Sequence, residues 1–279
     1  MPAALTEEDV IVLCAQSGPK TNRCVYPAVN PAYFIKYGGS HTMGEALTQK
    51  YVYHQMTDVP RAPRMPKVYR AFERGPRTYI VMEFINAPTV DEYLAEYPSE
   101  AEYVYPSIAS ALSWLLDLPL PQYAGLGPVG GGLAVHKFFG ADDDLAPLEF
   151  ADALKRTPGR GDKASVDFES EERCFYHSDI REPNFLYNPE TGELSLVDFQ
   201  HVGILTTSFA SYALHGSNDT FVRDMAARIT FPKLVQLPAM GRAASILMQF
   251  GGSNLGLNEQ GLPMSRRQDV QDPENVDVS

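Results

Sequence analysis

The sequence predicts a bilobal α+β fold, with a small, reduced N-terminal lobe made mostly of sheet and a mainly helical C-terminal lobe. Three observations carry this expectation. Residues 1–85 hold short β-type runs punctuated by Pro, Asn and Gly, with only one strongly helical stretch among them. After Ile85 two more capping boxes follow, the second opening onto apolar residues at helical spacing. Within the helical half, a lone hairpin pattern spans 185–197, two apolar runs around an Asn, Pro and Gly turn. At 279 residues the chain has room for one large domain or two small ones packed together.

Along the chain, Thr6 ahead of Glu7, Glu8 and Asp9 reads as the capped start of a short helix ending by Gln16, with Gly18 as its stop, although Val10, Ile11 and Leu13 suit a strand as well. Two strand-like runs follow, 24–26 and 33–36, separated by an Asn30-Pro31 turn. Thr42 and Glu45 form a capping box for a helix to about Thr57. Pro60, Pro63 and Pro66 then force an extended connector. Arg74-Gly75-Pro76-Arg77 sits between two β-type runs as a hairpin turn. Thr89 with Glu92 and Ser99 with Glu102 each signal a helix start, the second opening a helix to Asp117 with Val104, Ile108, Leu112 and Leu115 on one face. Residues 119–165 are loop-rich, with a helix expected over 147–156, and helices are expected over 209–214, 220–229 and 242–250. The division is therefore 1–85 as a nucleotide-binding lobe, 86–252 as a catalytic and substrate lobe, and 253–279 as a polar, disordered tail.

Charge and composition exclude some functions. Lys and Arg number 23 against 35 Asp and Glu, a net charge of −12. That field repels nucleic acid and anionic lipid, so neither is an expected partner. Cys14, Cys24 and Cys174 make no disulfide framework and no metal-type spacing, which suits a reducing compartment. The acidic N-terminus carries no leader pattern, and the apolar stretch 104–121 is broken by Asp117, Pro119 and Pro121. A cytoplasmic protein is expected.

The chemistry concentrates between Arg173 and His201. His177-Ser178-Asp179-Ile180-Arg181 leads into Asn184 at the head of the hairpin, and Asp198-Phe199-Gln200 follows its second strand. A hairpin closes its outer ends together, so Asn184 and Asp198 are expected opposite each other, about 5 Å apart at Cα. Hard oxygen donors of low total charge suit Mg²⁺ held partly by substrate phosphates, and Asp179 is left to take a proton from an attacking hydroxyl. Metal holders plus a positioned base are the parts for phosphoryl transfer. His177 is read as a structural support of the loop, the glycines at 130–132 as a flexible loop bordering the substrate cleft, and Asp142, Asp143 and Asp144 as a solvated acidic loop.

This segment resembles the catalytic loop and metal motif of the protein-kinase-like fold, in the version carried by aminoglycoside and choline phosphotransferases, and is closest to the phosphotransferase-like proteins abundant in fungi. Upstream, Tyr33-Phe34-Ile35-Lys36-Tyr37-Gly38 is similar to the strand bearing the nucleotide-binding Lys, Glu45-Ala46 to its helix-borne partner, and Tyr79 through Ile85 to the hinge strand. The resemblance implies that Asp179 is the base, that Asn184 and Asp198 hold Mg²⁺, that Lys36 grips the phosphates of ATP and pairs with Glu45, and that backbone groups from Glu83 to Ile85 take the adenine. Arg181 stands where protein kinases place a phosphate-contacting Lys. Three departures accompany it: Ser178 replaces Gly, Gln200 replaces an acid, and no Gly-rich loop precedes Lys36.

The expected function is Mg²⁺- and ATP-dependent phosphorylation of a small-molecule hydroxyl, with a cationic acceptor suiting the acidic balance. The alternative is a pseudokinase-type module that binds nucleotide or ligand without turnover. Other nucleotide chemistry on a biosynthetic intermediate is a third possibility.

Overall fold

The computed structural model describes residues 5–18, 21–39, 43–56, 62–122, 124–132, 134–139, 145–146, 168 and 170–250. Thr42, Thr57, the helix expected over 147–156, the acidic run 142–144 and the tail 253–279 lie outside them.

Helix α1 (Glu7–Gln16) starts with a reciprocal capping box: Asp9 N donates to Thr6 Oγ1 at 3.2 Å, and Thr6 N to Asp9 Oδ2 at 2.9 Å. Helix, not strand, therefore wins for Val10–Leu13, because Val10 and Cys14, one turn apart, face the sheet. That sheet is antiparallel, with spatial order β1 (Arg23–Tyr26), β2 (Tyr33–Gly38), β4 (Arg77–Glu83), β3 (Val68–Arg74). Its central strands are buried on both faces. Tyr33, Ile35, Tyr79 and Val81 pack with α1, while Ile80 and Met82 turn to the other face and pack with Ala46 of α2 (Met43–Gln55). Because side chains alternate along a strand, the odd-numbered apolar positions of β2 send Lys36 to the α2 face.

After β4, α3 (Val90–Glu96) begins in the Thr89–Glu92 capping box. The Ser99–Glu102 box does not form. A 3₁₀ turn, Pro98–Glu100, leads directly into α4 (Ala101–Leu116), and no side chain caps it. Val104, Ile108, Leu112 and Leu115 are all buried in the main core of this half, against Phe175, Phe185, Leu196 and Phe199. Short strands β5 (Ala134–Val135) and β6 (Leu145–Ala146) pair with each other. Strand β7 (Arg173–His177) pairs with β10 (Val202–Thr206), and the hairpin β8 (Phe185–Asn188) and β9 (Glu193–Leu196) lies between them in sequence. Helices α5 (Thr207–His215), α6 (Thr220–Arg228) and α7 (Leu237–Phe250) close the fold.

Backbone hydrogen bonds from two segments help to tie the halves together. Arg64, in the proline-rich connector, bonds through its backbone to Leu194 and Leu196 of β9, and its guanidinium reaches Glu83 at 2.6 Å and Glu193 at 2.9 Å. The glycine-rich segment 125–132 is the second. Rather than a free loop, it exchanges two hydrogen bonds between Gly127 and Ile204 and donates Val129 N to Thr48 Oγ1 of α2. Its Gly127, Gly130, Gly131 and Gly132 all have φ near +90° to +113°, which only glycine adopts without strain. This junction has no slack. A Cβ on Gly203 would stand 2.9 Å from Gly127 O and 3.0 Å from Tyr176 Oη. Gly203→Ala is therefore expected to cost about 1–3 kcal/mol, read as a lowered melting temperature.

Candidate active site

Three pieces of chain converge at the cleft between the halves. Lys36 arrives from β2, Glu45 from the first turn of α2, and Asp198 from the end of the β8–β9 hairpin. Lys36 Nζ lies 2.7 Å from Glu45 Oε1 and 2.8 Å from Asp198 Oδ1. Glu45 is almost wholly buried, Lys36 nearly so, and Asp198 one-third exposed. Burial alone would discharge this lysine, but Glu45 and Asp198 more than reverse the effect and hold its pKa above the ordinary value. Burial opposes the charge on Asp198 too, and the Lys36 ammonium outweighs it, bringing its carboxyl to about 2. Lys36 and Asp198 are both ionised at neutral pH.

The hairpin departs from expectation by one residue. The β8–β9 register pairs Phe185 with Leu196, and Val197 N donates to Asn184 O at 3.0 Å. Asn184 thus stands opposite Val197, not Asp198. Asp198 follows in the left-handed region, φ +62°, a conformation that Asp tolerates better than most residues. This turn ends the strand and aims the carboxylate at Lys36.

Asp179 lies on the loop between β7 and the hairpin and is 4% exposed. Asn184 Nδ2 donates to its backbone oxygen at 2.8 Å and to Oδ2 at 2.9 Å. Arg181 Nε lies 3.0 Å from Oδ2, and Lys137 Nζ 2.5 Å from Oδ1. Burial raises the pKa of Asp179, but hydrogen bonds from Lys137 and Asn184 and the nearby cations together bring it below the usual carboxylate value. Because Asn184 gives only its NH₂ to Asp179, its Oδ1 has no partner among the described residues. No group of three or more His, Cys, Asp and Glu side chains fit to hold a metal occurs among the described residues. A cation here would rest on Asn184 and Asp198 plus oxygens from its own phosphate ligand, which is how Mg²⁺ is ordinarily held.

His177 and His136 support the loop from below. His177 is buried beside Phe185, and neither ring nitrogen has a hydrogen-bond partner among the described residues; burial lowers its pKa to about 4. His136 is fixed as the Nε2–H tautomer, accepting Phe138 N–H at Nδ1 and donating to Phe209 O, and burial lowers its pKa to about 3.

At the expected hinge, Glu83 N–H donates to Lys67 O and Phe84 N–H to Ala32 O, while the Glu83 side chain holds Arg64. Glu83 offers no free amide to a base. Ile85, buried, accepts from Ala87 through its carbonyl, and its N–H makes no such bond among the described residues. Among site neighbours, Lys137 and Arg64 gave no sequence signal, since each reaches its partner across a long chain separation. The replacement of Gly by Ser at 178 was the one local clue to Lys137, whose N–H donates to Ser178 Oγ at 3.2 Å.

No family model and no curated protein matches the chain. Solved structures do. A thermostable mutant of the aminoglycoside phosphotransferase APH(4)-Ia, in ternary complex with ADP and hygromycin B, aligns at 15% identity over 91% of this chain and 90% of that one, TM-score 0.50. Aminoglycoside phosphotransferase APH(3'')-Id from Streptomyces rimosus aligns at 13% identity over 87% and 99%, TM-score 0.48. The fold is thus the kinase-like fold of aminoglycoside phosphotransferases, seen at low identity. No helix among the described residues is long and apolar enough to cross a membrane.

Proposed function

We propose that the protein is a Mg²⁺- and ATP-dependent phosphotransferase acting on a hydroxyl of a small molecule. The observation that carries this is the Lys36–Glu45–Asp198 ion-paired set together with the Asp179–Asn184 pair, the two linked through the Val197 N–H to Asn184 O bond next to Asp198. The kinase-like fold, found also in a phosphotransferase holding ADP, supports the reading.

Lys36, held in place by Glu45, binds nucleotide phosphates; backbone groups from Glu83 to Ile85 take the adenine; Asn184 and Asp198 would hold the metal. Mg²⁺, when bound, neutralises charge on the phosphate oxygens. Asp179 orients the acceptor hydroxyl. As the acceptor oxygen bonds to the γ-phosphorus, the bond to the β,γ-bridging oxygen breaks, ADP departs, and the hydroxyl proton passes to the Asp179 carboxylate. Positioning and electrostatics do most of the work in such a site.

The test is binding. ATP with Mg²⁺ at about a hundred times its dissociation constant stabilises the protein by about 2.7 kcal/mol. Asp198→Asn is expected to remove the Mg²⁺-dependent part of that thermal shift. Absence of any nucleotide shift in the unmodified protein refutes the proposal.

One feature favours the second reading, a binding module without turnover. Among the described residues, helix α1 and not a strand precedes β1, so no hairpin among them stands ahead of β1 to fold over the phosphates. Nucleotide binding without consumption, in the presence of an acceptor that itself binds, would establish that reading.

A further inference from the structure

We propose that Lys137 and Arg181 form an anion receptor beside Asp179, so that the acceptor phosphorylated here carries a carboxylate or phosphate close to its reacting hydroxyl. The inference rests on Asp179 being the orienting carboxylate of a phosphotransferase.

Lys137 is presented by a built turn. Of the six residues 134–139, only Lys137 is exposed. His136 is pinned by Phe138 N–H and Phe209 O, Phe138 and Phe139 are buried in an aromatic cluster, and Lys137 N–H is held by Ser178 Oγ. The side chain that leaves this turn ends on Asp179 Oδ1.

The pairing offsets the cost of burying Asp179, whose side chain is 6% exposed, while Lys137 and Arg181 remain 47% and 55% exposed and open to a further anion. Its meaning lies in charge count and position. Among the described residues, Lys137 and Arg181 both pair with the single carboxylate of Asp179, two positive charges to one negative, while Lys36 is engaged with Glu45 and Asp198. Oδ2 already receives Asn184 and Arg181, so Oδ1 is the oxygen left for an incoming hydroxyl, and Lys137 occupies it. An acceptor with an anion next to its hydroxyl gives the ammonium a new partner as the hydroxyl takes its place. A cationic acceptor meets repulsion there. The local charge thus reverses the preference suggested by the net charge of −12.

The experiment is calorimetric titration of the full chain and of Lys137→Met and Lys137→Arg with D-glycerate and glycerol 3-phosphate, alongside glycerol and choline. At least one anion is expected to bind the unmodified protein, to lose about tenfold or more in affinity in Lys137→Met, and to recover in Lys137→Arg; which of the two binds separates carboxylate from phosphate. Equal anion binding by Lys137→Met, no anion binding by the unmodified protein, or preferential binding of choline overturns the proposal. A nucleotide thermal shift measured on the same samples keeps the two questions apart. Its presence without anion binding sinks only the receptor, and its absence sinks the phosphotransferase.

Discussion

Asp179→Asn is expected to leave the protein folded and able to bind nucleotide while lowering turnover about a hundred- to ten-thousand-fold, the usual contribution of a positioned base. The substitution is nearly isosteric, and the amide oxygen can still accept from Asn184 Nδ2, which now bonds Oδ2 at 2.9 Å. Lys137 and Arg181 lose an ion pair, but both are about half exposed, and water takes up their hydration. What disappears is the ability to accept the hydroxyl proton. Acceptor-dependent ATP consumption and the nucleotide thermal shift, measured together, separate this loss from unfolding. Unchanged turnover in Asp179→Asn with an acceptor known to be phosphorylated would remove the carboxylate from the mechanism. Asp198→Asn acts earlier, on the metal-dependent binding of nucleotide, so the two variants should fail at different steps.

The parts of the site that could be read from sequence are those set by local periodicity. Tyr33, Ile35 and Tyr37 fix which face of β2 is apolar, and so dictate that Lys36 points toward the following helix and Glu45. The spacing from Asp179 to Asn184 sits within one loop, and the two do touch. The register of the hairpin was legible to within a residue; the left-handed turn at Asp198 shifted the last pair, and no residue type in Val197-Asp198-Phe199 announces it. Strand β10 was missed because all five of its residues are buried, so no alternation marks it, and Gly203 weakens its strand character. The glycines at 130–132 gave a flexible loop as the local reading, whereas their positive φ values, with that of Gly127, serve a tight bridge to β10 and α2. Lys137 and Arg64 show the general limit. Their partners lie 42 and 129 residues away, at Asp179 and Glu193, and only the assembled core brings them together.

Between pH 6 and pH 5 the protein is expected to lose stability at close to two protons' worth of slope, about 2.7 kcal/mol per pH unit. The cause is two of the buried histidines around the catalytic loop, His136 and His177. An unfolded histidine titrates near 6.5, whereas burial brings His177 to about 4 and His136 to about 3 in the folded protein. For a base with a lowered pKa the sign is fixed: the unfolded chain takes up protons that the folded one refuses. Stability is complete above about pH 6.5 and declines as the pH falls toward the folded values. The lowered pKa values of Asp179 and Asp198 act only below about pH 4, where unfolded carboxylates protonate, outside this window. Urea unfolding at pH 5.0, 5.5 and 6.0 measures the slope, and His177→Leu should halve it, since that side chain makes no hydrogen bond to lose. A slope near zero, or one that His177→Leu leaves unchanged, would show that these rings do not stay neutral. The same protonation strikes the site first. His136 sets the turn that carries Lys137, and His177 immediately precedes Ser178 and Asp179, so acid should loosen the Lys137–Asp179 contact before the sheet of the other half gives way.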